Sequence, residues 1–105
     1  MKCVNTADVR RVLTSDALAD AVIRYAAALS LSALSDVVLL PTVDAYGIRI
    51  NVEIFLAPTT AVAVEPALDD ELEDALEDHA LLRELELRTG VALAFLPTGV
   101  AQPLT

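Results

Sequence analysis

The sequence predicts an α+β domain: a two-layer sandwich in which an antiparallel meander sheet carries two helices on one face. Three observations carry that prediction. From Ile48 to Leu56 the chain alternates strictly. Ile48, Ile50, Val52, Ile54 and Leu56 fall on one side, and Arg49, Asn51, Glu53 and Phe55 on the other. A period of two marks a strand with one buried face. Leu18, Ala21, Val22, Tyr25, Ala26 and Leu29 recur at three- and four-residue spacing, the stripe of an amphipathic helix. Residues Ala67 to Leu87 are nearly all good helix formers, which predicts a second helix.

Residues 1–14 read as a loosely held extension. Within it, Asp8 to Leu13 suit a short strand, or Thr6 caps a single helical turn carrying Val9, Val12 and Leu13. Ser15-Asp16 then opens a helix to about Leu34. Asp20 and Arg24 make an i,i+4 pair on its outer side. Ile23, Ala27 and Leu31 also fall outside the stripe. They are either scattered surface residues or a second buried face at a subunit contact.

Val37 to Val43 is apolar on both faces, as in a strand covered on both sides. Asp44-Ala-Tyr-Gly47 has hairpin length, and Gly47 can take positive φ. Ala61 to Val64 reads as a third strand, stopped by Glu65-Pro66. In the acidic helix, Leu68, Leu72, Ala75, Leu76 and His79 make the buried stripe, while Leu81 and Leu85 lie opposite. That helix either runs to Arg88 with Gly90 just past its end, or stops near Leu82 so that Leu85 and Leu87 begin a strand turning at Thr89-Gly90. Val91 to Leu96 reads as a strand, and 97–105 as a loosely held tail. With a strand in residues 8–13 the order approaches βαββαβ, the ferredoxin-like arrangement.

A chain of 105 residues is one domain and buries roughly 65% of its surface on folding. Apolar residues make up 55% of it, more than the usual 45–50% or so. No run approaches the ~18 apolar residues of a membrane helix. Surplus apolar surface without a membrane span predicts a homo-oligomer, most simply a two-fold dimer. The start has no apolar leader, and a single cysteine, Cys3, forms no internal disulfide. Both suit a reducing cytoplasm.

The net charge is −9, and Glu65 to Glu86 carries all of it, with ten acids against Arg83. The rest of the chain is neutral. Such a surface repels phosphate backbones, so nucleic acid is not an expected partner.

Candidate chemistry is sparse. His79 is the sole histidine; a general base needs an orienting carboxylate and a cleft, and a hydrogen-bonded residue at the core edge explains it more simply. Asp69, Asp70, Glu73, Asp74, Glu77 and Asp78 lack the bend glycine and carbonyls of a calcium loop. They lack the repeated Glu-x-x-His of di-iron bundles too. The glycines, Gly47, Gly90 and Gly99, are too scattered to cradle phosphate. Cys3 has no activating motif. Asp44 and Tyr46 are turn residues. Arg49, Asn51 and Glu53 decorate one sheet face, either a shallow site or a solvated surface. No cofactor or metal is expected.

The element order and the acidity are similar to those of small dimeric chaperones of bacterial secretion systems, an architectural likeness without a shared motif. The missing nucleophile constellation and metal set favour a non-catalytic, protein-binding adaptor or chaperone-like subunit. It would bind through an apolar sheet face or through Asp70, Glu73, Asp74, Glu77 and Asp78. The alternative is a small enzyme or ligand-binding domain whose site forms in a dimer cleft.

Overall fold

Val4 and Cys3, in a segment read as a loose extension, lie in the middle of a sheet. The computed structural model describes residues 1–6, 11–67 and 73–95. Its elements are β1 (Lys2–Thr6), β2 (Arg11–Thr14), α1 (Asp16–Ser32), β3 (Asp36–Val43), β4 (Arg49–Leu56), β5 (Val62–Pro66), α2 (Glu73–Leu76) and α3 (His79–Ala94). Strand β1 pairs antiparallel with β2 on one side and β5 on the other. Val4 and Cys3 are buried there.

The chain is α+β, with antiparallel strands and packed helices. The strands form two sheets rather than one meander: β2-β1-β5, and the hairpin β3-β4 by itself. Strand β5 leaves β4 and joins β1, because β1 offers a partner that the expected topology did not contain. The order ββαβββαα of the described elements is not βαββαβ.

Helix α1 starts where its cap chemistry predicts. The Ser15 hydroxyl accepts a hydrogen bond from the Leu18 N–H, satisfying a donor that the first turn leaves open. The helix ends in a Schellman turn with Ala33 at φ 55°, and the Leu34 N–H returns to the Leu29 carbonyl at 2.9 Å. The predicted stripe holds: Leu18, Ala21, Val22, Tyr25 and Leu29 are buried. They pack with Val4, Val12, Val38, Leu40, Ile54, Leu56 and Leu85 as one core.

The hairpin forms as read. Asp44 Oδ1 accepts from the N–H groups of Tyr46 and Ile48, and Gly47 sits at φ 79°. Only half its inner face is covered. Ile54 and Leu56 are buried and Val52 is half-buried, but Ile50 is 40% and Ile48 61% exposed. Toward its tip the strand runs past the core. On the other face Val37 and Leu39, expected to be covered, are exposed.

The acidic segment departs most from its reading. Residues Leu68, Asp69, Asp70, Glu71 and Leu72 lie outside the described residues. Glu73–Leu76 is one turn of helix, and a break at Glu77-Asp78 separates it from α3. Asp78 is extended at φ −146°, and its carboxylate accepts from the Leu81 N–H. An aspartate that can cap competes with helix continuation. From there α3 runs through Gly90 to Ala94, so the strand expected at Val91 to Leu96 is helix from Val91 to Ala94, with Phe95 capping it. The buried residues of α3 are Leu85 and Ala92, seven apart on one face, with Leu81 and Leu82 partly buried beside them. His79 and Ala75, read as buried, are exposed; Leu76 is buried.

Helices α1 and α3 run parallel. Ser32 Oγ donates to the Ala92 carbonyl at 2.6 Å at one end. At the other, Ser15 and Leu18 share a small cavity with Asp78 and Leu82.

Candidate functional site

Because α3 continues past Gly90, Leu87, Val91 and Phe95 stack at intervals of four on one face. They are 70%, 58% and 64% exposed. With Tyr25 and Leu29 of α1, and with Leu34 placed by the Schellman turn, they line a groove of about 510 Å³. The groove is apolar except for Ser35 and one cluster in its wall.

That cluster joins three elements. Tyr25 Oη donates to Asp36 Oδ2 at 2.6 Å. Arg88 Nη1 donates to the same oxygen at 3.2 Å, and Nη2 donates to Glu84 Oε2 at 2.7 Å. Burial and then the bond to Asp36 push the Tyr25 hydroxyl up to about 12. Burial pushes the Asp36 carboxyl upward, but hydrogen bonds from Tyr25 and the Val37 N–H, with the Arg88 charge, hold it below its ordinary value. Near neutral pH Tyr25 therefore keeps its proton and Asp36 lacks one. Neither titrates where a general acid or base works. The cluster locks α1, β3 and α3 together.

Glu84 and Arg88 also line a second groove, of about 540 Å³, on the outer face of the hairpin. Val37, Leu39, Pro41 and Leu81 are its apolar lining, and Asn51, Glu53 and Asp78 its polar lining. Apolar surface thus flanks the Glu84–Arg88 pair on both sides.

The acidic residues singled out from sequence do not converge. Asp70 lies outside the described residues. The Glu73 carboxylate accepts from the Asp16 N–H at 2.8 and 3.2 Å and meets the Met1 α-amino group at 3.1 Å, so it braces the sheet end of α1. Asp78 caps α3. Glu77 lies 3.9 Å from His79, and Asp74 is exposed. Among the described residues, no group of three or more His, Cys, Asp or Glu side chains could hold a metal ion. Cys3, read as part of a mobile terminus, is buried in β1. The Arg49 guanidinium reaches the Ala75 carbonyl at 3.3 Å, and Glu53 lines the second groove. No helix among the described residues is long and apolar enough to cross a membrane.

Sequence reasoning missed Leu34, Leu87, Arg88, Val91 and Phe95. Their signal, the four-residue spacing of 87, 91 and 95, is visible only if the helix is carried through Gly90. Compared with models of known families, with curated proteins and with solved structures, the chain matches none.

Proposed function

We propose that this chain is a non-catalytic, protein-binding adaptor or chaperone-like subunit of the cytoplasm that works as a homodimer. Its binding surface is the apolar face around Glu84 and Arg88 rather than the acidic segment. The observation that carries this reading is the exposure of Leu87, Val91 and Phe95 on one helix face, with Val37, Leu39 and Phe55 across the ion pair. At roughly 100 Å² apiece they present on the order of 600 Å², divided between two patches on either side of the ion pair, each about the size of a typical monomer's largest patch at its lower end. An open groove of this kind suits an amphipathic or extended apolar segment of another protein. The exposed Asp74 and Glu77 add charge that keeps such a surface in solution.

The test uses reduced α-lactalbumin, whose aggregation is followed by light scattering. The wild-type protein should suppress aggregation at near-equimolar ratio, and Val91→Glu should lose most of that effect. Asp74→Asn with Glu77→Gln should keep it. If the acid-to-amide variant loses the effect and Val91→Glu keeps it, the acidic segment is the binding surface and this reading is wrong.

A further inference from the structure

No described strand pairs with the outer edge of β4, and its sequence is complementary to itself. The Asp44 N–H donates to the Ile48 carbonyl at 2.9 Å, and the register continues as Thr42↔Ile50, Leu40↔Val52 and Val38↔Ile54. Hydrogen-bonded pairs alternate along antiparallel strands. The even-numbered residues of β4 therefore direct their N–H and C=O groups toward β3. Arg49, Asn51, Glu53 and Phe55 direct theirs to the opposite edge, where no described strand pairs with them. The same alternation turns the nitrogen of Pro41 to the outer edge of β3, the place where a strand tolerates proline. That edge lacks a donor. Strand β5 ends in Pro66, and β2 has only four residues. Strand β4 has eight residues and no proline.

We infer that two copies of the chain join by antiparallel pairing of β4 with β4 about a two-fold axis at Asn51, giving a continuous sheet β3-β4-β4-β3. This rests on the reading above that the protein is a homodimer, and it names the contact. In this register Asn51 faces its own copy, and Arg49 of each chain faces Glu53 of the other. These odd-numbered pairs are the hydrogen-bonded ones, as the free edge requires. Centring the axis on Ile50 or Val52 instead sets Arg49 against Asn51 or Phe55, so only the Asn51 register joins opposite charges across the strands.

Within one chain neither charge has a close ion pair with the described residues. Arg49 has a 3.3 Å bond to a carbonyl and a 3.9 Å approach to Asp78, and Glu53 has no ion pair with the described residues. The pairing also accounts for the uncovered isoleucines. Ile50 comes to lie opposite the second copy's Val52, and Ile48 opposite its Ile54. Ile54 is buried in its own core, so each hairpin tip is carried toward the other chain's core. The full alternation from Ile48 to Leu56 then has a covered face along its whole length. Closed two-fold association of this kind uses one patch twice and leaves neither β4 edge open.

The test exchanges charges. By sedimentation the full-length wild-type chain should give twice 11.1 kDa at micromolar concentration. Arg49→Glu alone sets Glu against Glu across the axis, and Glu53→Arg alone sets Arg against Arg. Each should weaken association at least tenfold, and mixing the two variants one to one should restore it. In the wild type the amide hydrogens of Arg49, Asn51 and Glu53 should be protected from exchange as concentration rises, because they gain acceptors only in the pair. Amide protection in α1 verifies that each variant is folded. A wild-type dimer whose β4 edge amides exchange without protection overturns the edge assignment and leaves the dimer reading standing. A chain that stays at 11.1 kDa overturns both.

Discussion

Tyr25 illustrates how a residue chosen as core can serve as a latch. The spacing of α1 placed it inside. Its partner Asp36, on another element, was not visible because hydrogen bonds between elements leave no periodic trace. The raised hydroxyl makes a signed prediction. A group whose folded value exceeds its unfolded one stabilises fully below the unfolded value, and that stability is lost as pH rises through the folded one. The Tyr25 contribution should thus be intact below about pH 10 and vanish toward 12. In a Tyr46→Phe background, Tyr25 is the sole tyrosine, and its near-ultraviolet titration should centre near pH 12 rather than about 10. The depressed Asp36 acts at the other end. Its contribution is present above about pH 4 and fades as pH falls through its lower folded value. Leu85 and Leu87 give a second test two residues apart. Leu85 is fully buried and Leu87 is 70% exposed. Leu85→Ala should cost about 2–5 kcal/mol through lost burial and the cavity left behind, and Leu87→Ala within about 0.5 kcal/mol, both read from denaturant melts.

Helix α3 and strand β1 are the elements the sequence disguised, and the hairpin is the one it announced. The hairpin is local: a turn with Gly47 between two apolar runs sets both pairing and register. Helix α1 is nearly as local, since Ser15 marks its start and one stripe runs its length. In α3 the signals conflict. Gly90 followed by Val91-Ala-Leu-Ala-Phe reads as a stop and a strand, yet packing of Leu85 and Ala92 against α1 favours helix throughout. Tertiary contact overrides weak propensity here. Strand β1 has no alternation, and its place is decided by β2 and β5 pairing on either side. Gly90→Ala separates the two readings of α3. A Cβ there meets nothing within 4 Å, so in a helix interior alanine should stabilise by about 0.5–1 kcal/mol. A destabilising Gly90→Ala would mean that Gly90 terminates the helix. Ser15→Ala should cost about 1 kcal/mol from the lost cap, checked by the same melts.

The molecule as a whole sets a charge of −9 against eleven large apolar side chains exposed among the described residues. The excess of apolar residues was legible from composition. Which residues stay exposed was not, because that depends on where the hairpin outruns the core and on α3 passing Gly90. Self-repulsion among like charges weakens with screening. Added salt near neutral pH should therefore raise the melting temperature by a few degrees, on the order of 1 kcal/mol. A falling temperature would mean that favourable pairs such as Arg88 with Asp36 and Glu84 dominate. The central claim, that the apolar face and not the acidic segment receives a partner, is tested most directly by residue-resolved NMR. Reduced α-lactalbumin is added to the labelled protein and the amide shifts are mapped. The account predicts changes concentrated at Leu34, Leu87, Val91 and Phe95. Changes concentrated at Asp74, Glu77 and Asp78, with those four residues unmoved, would contradict it.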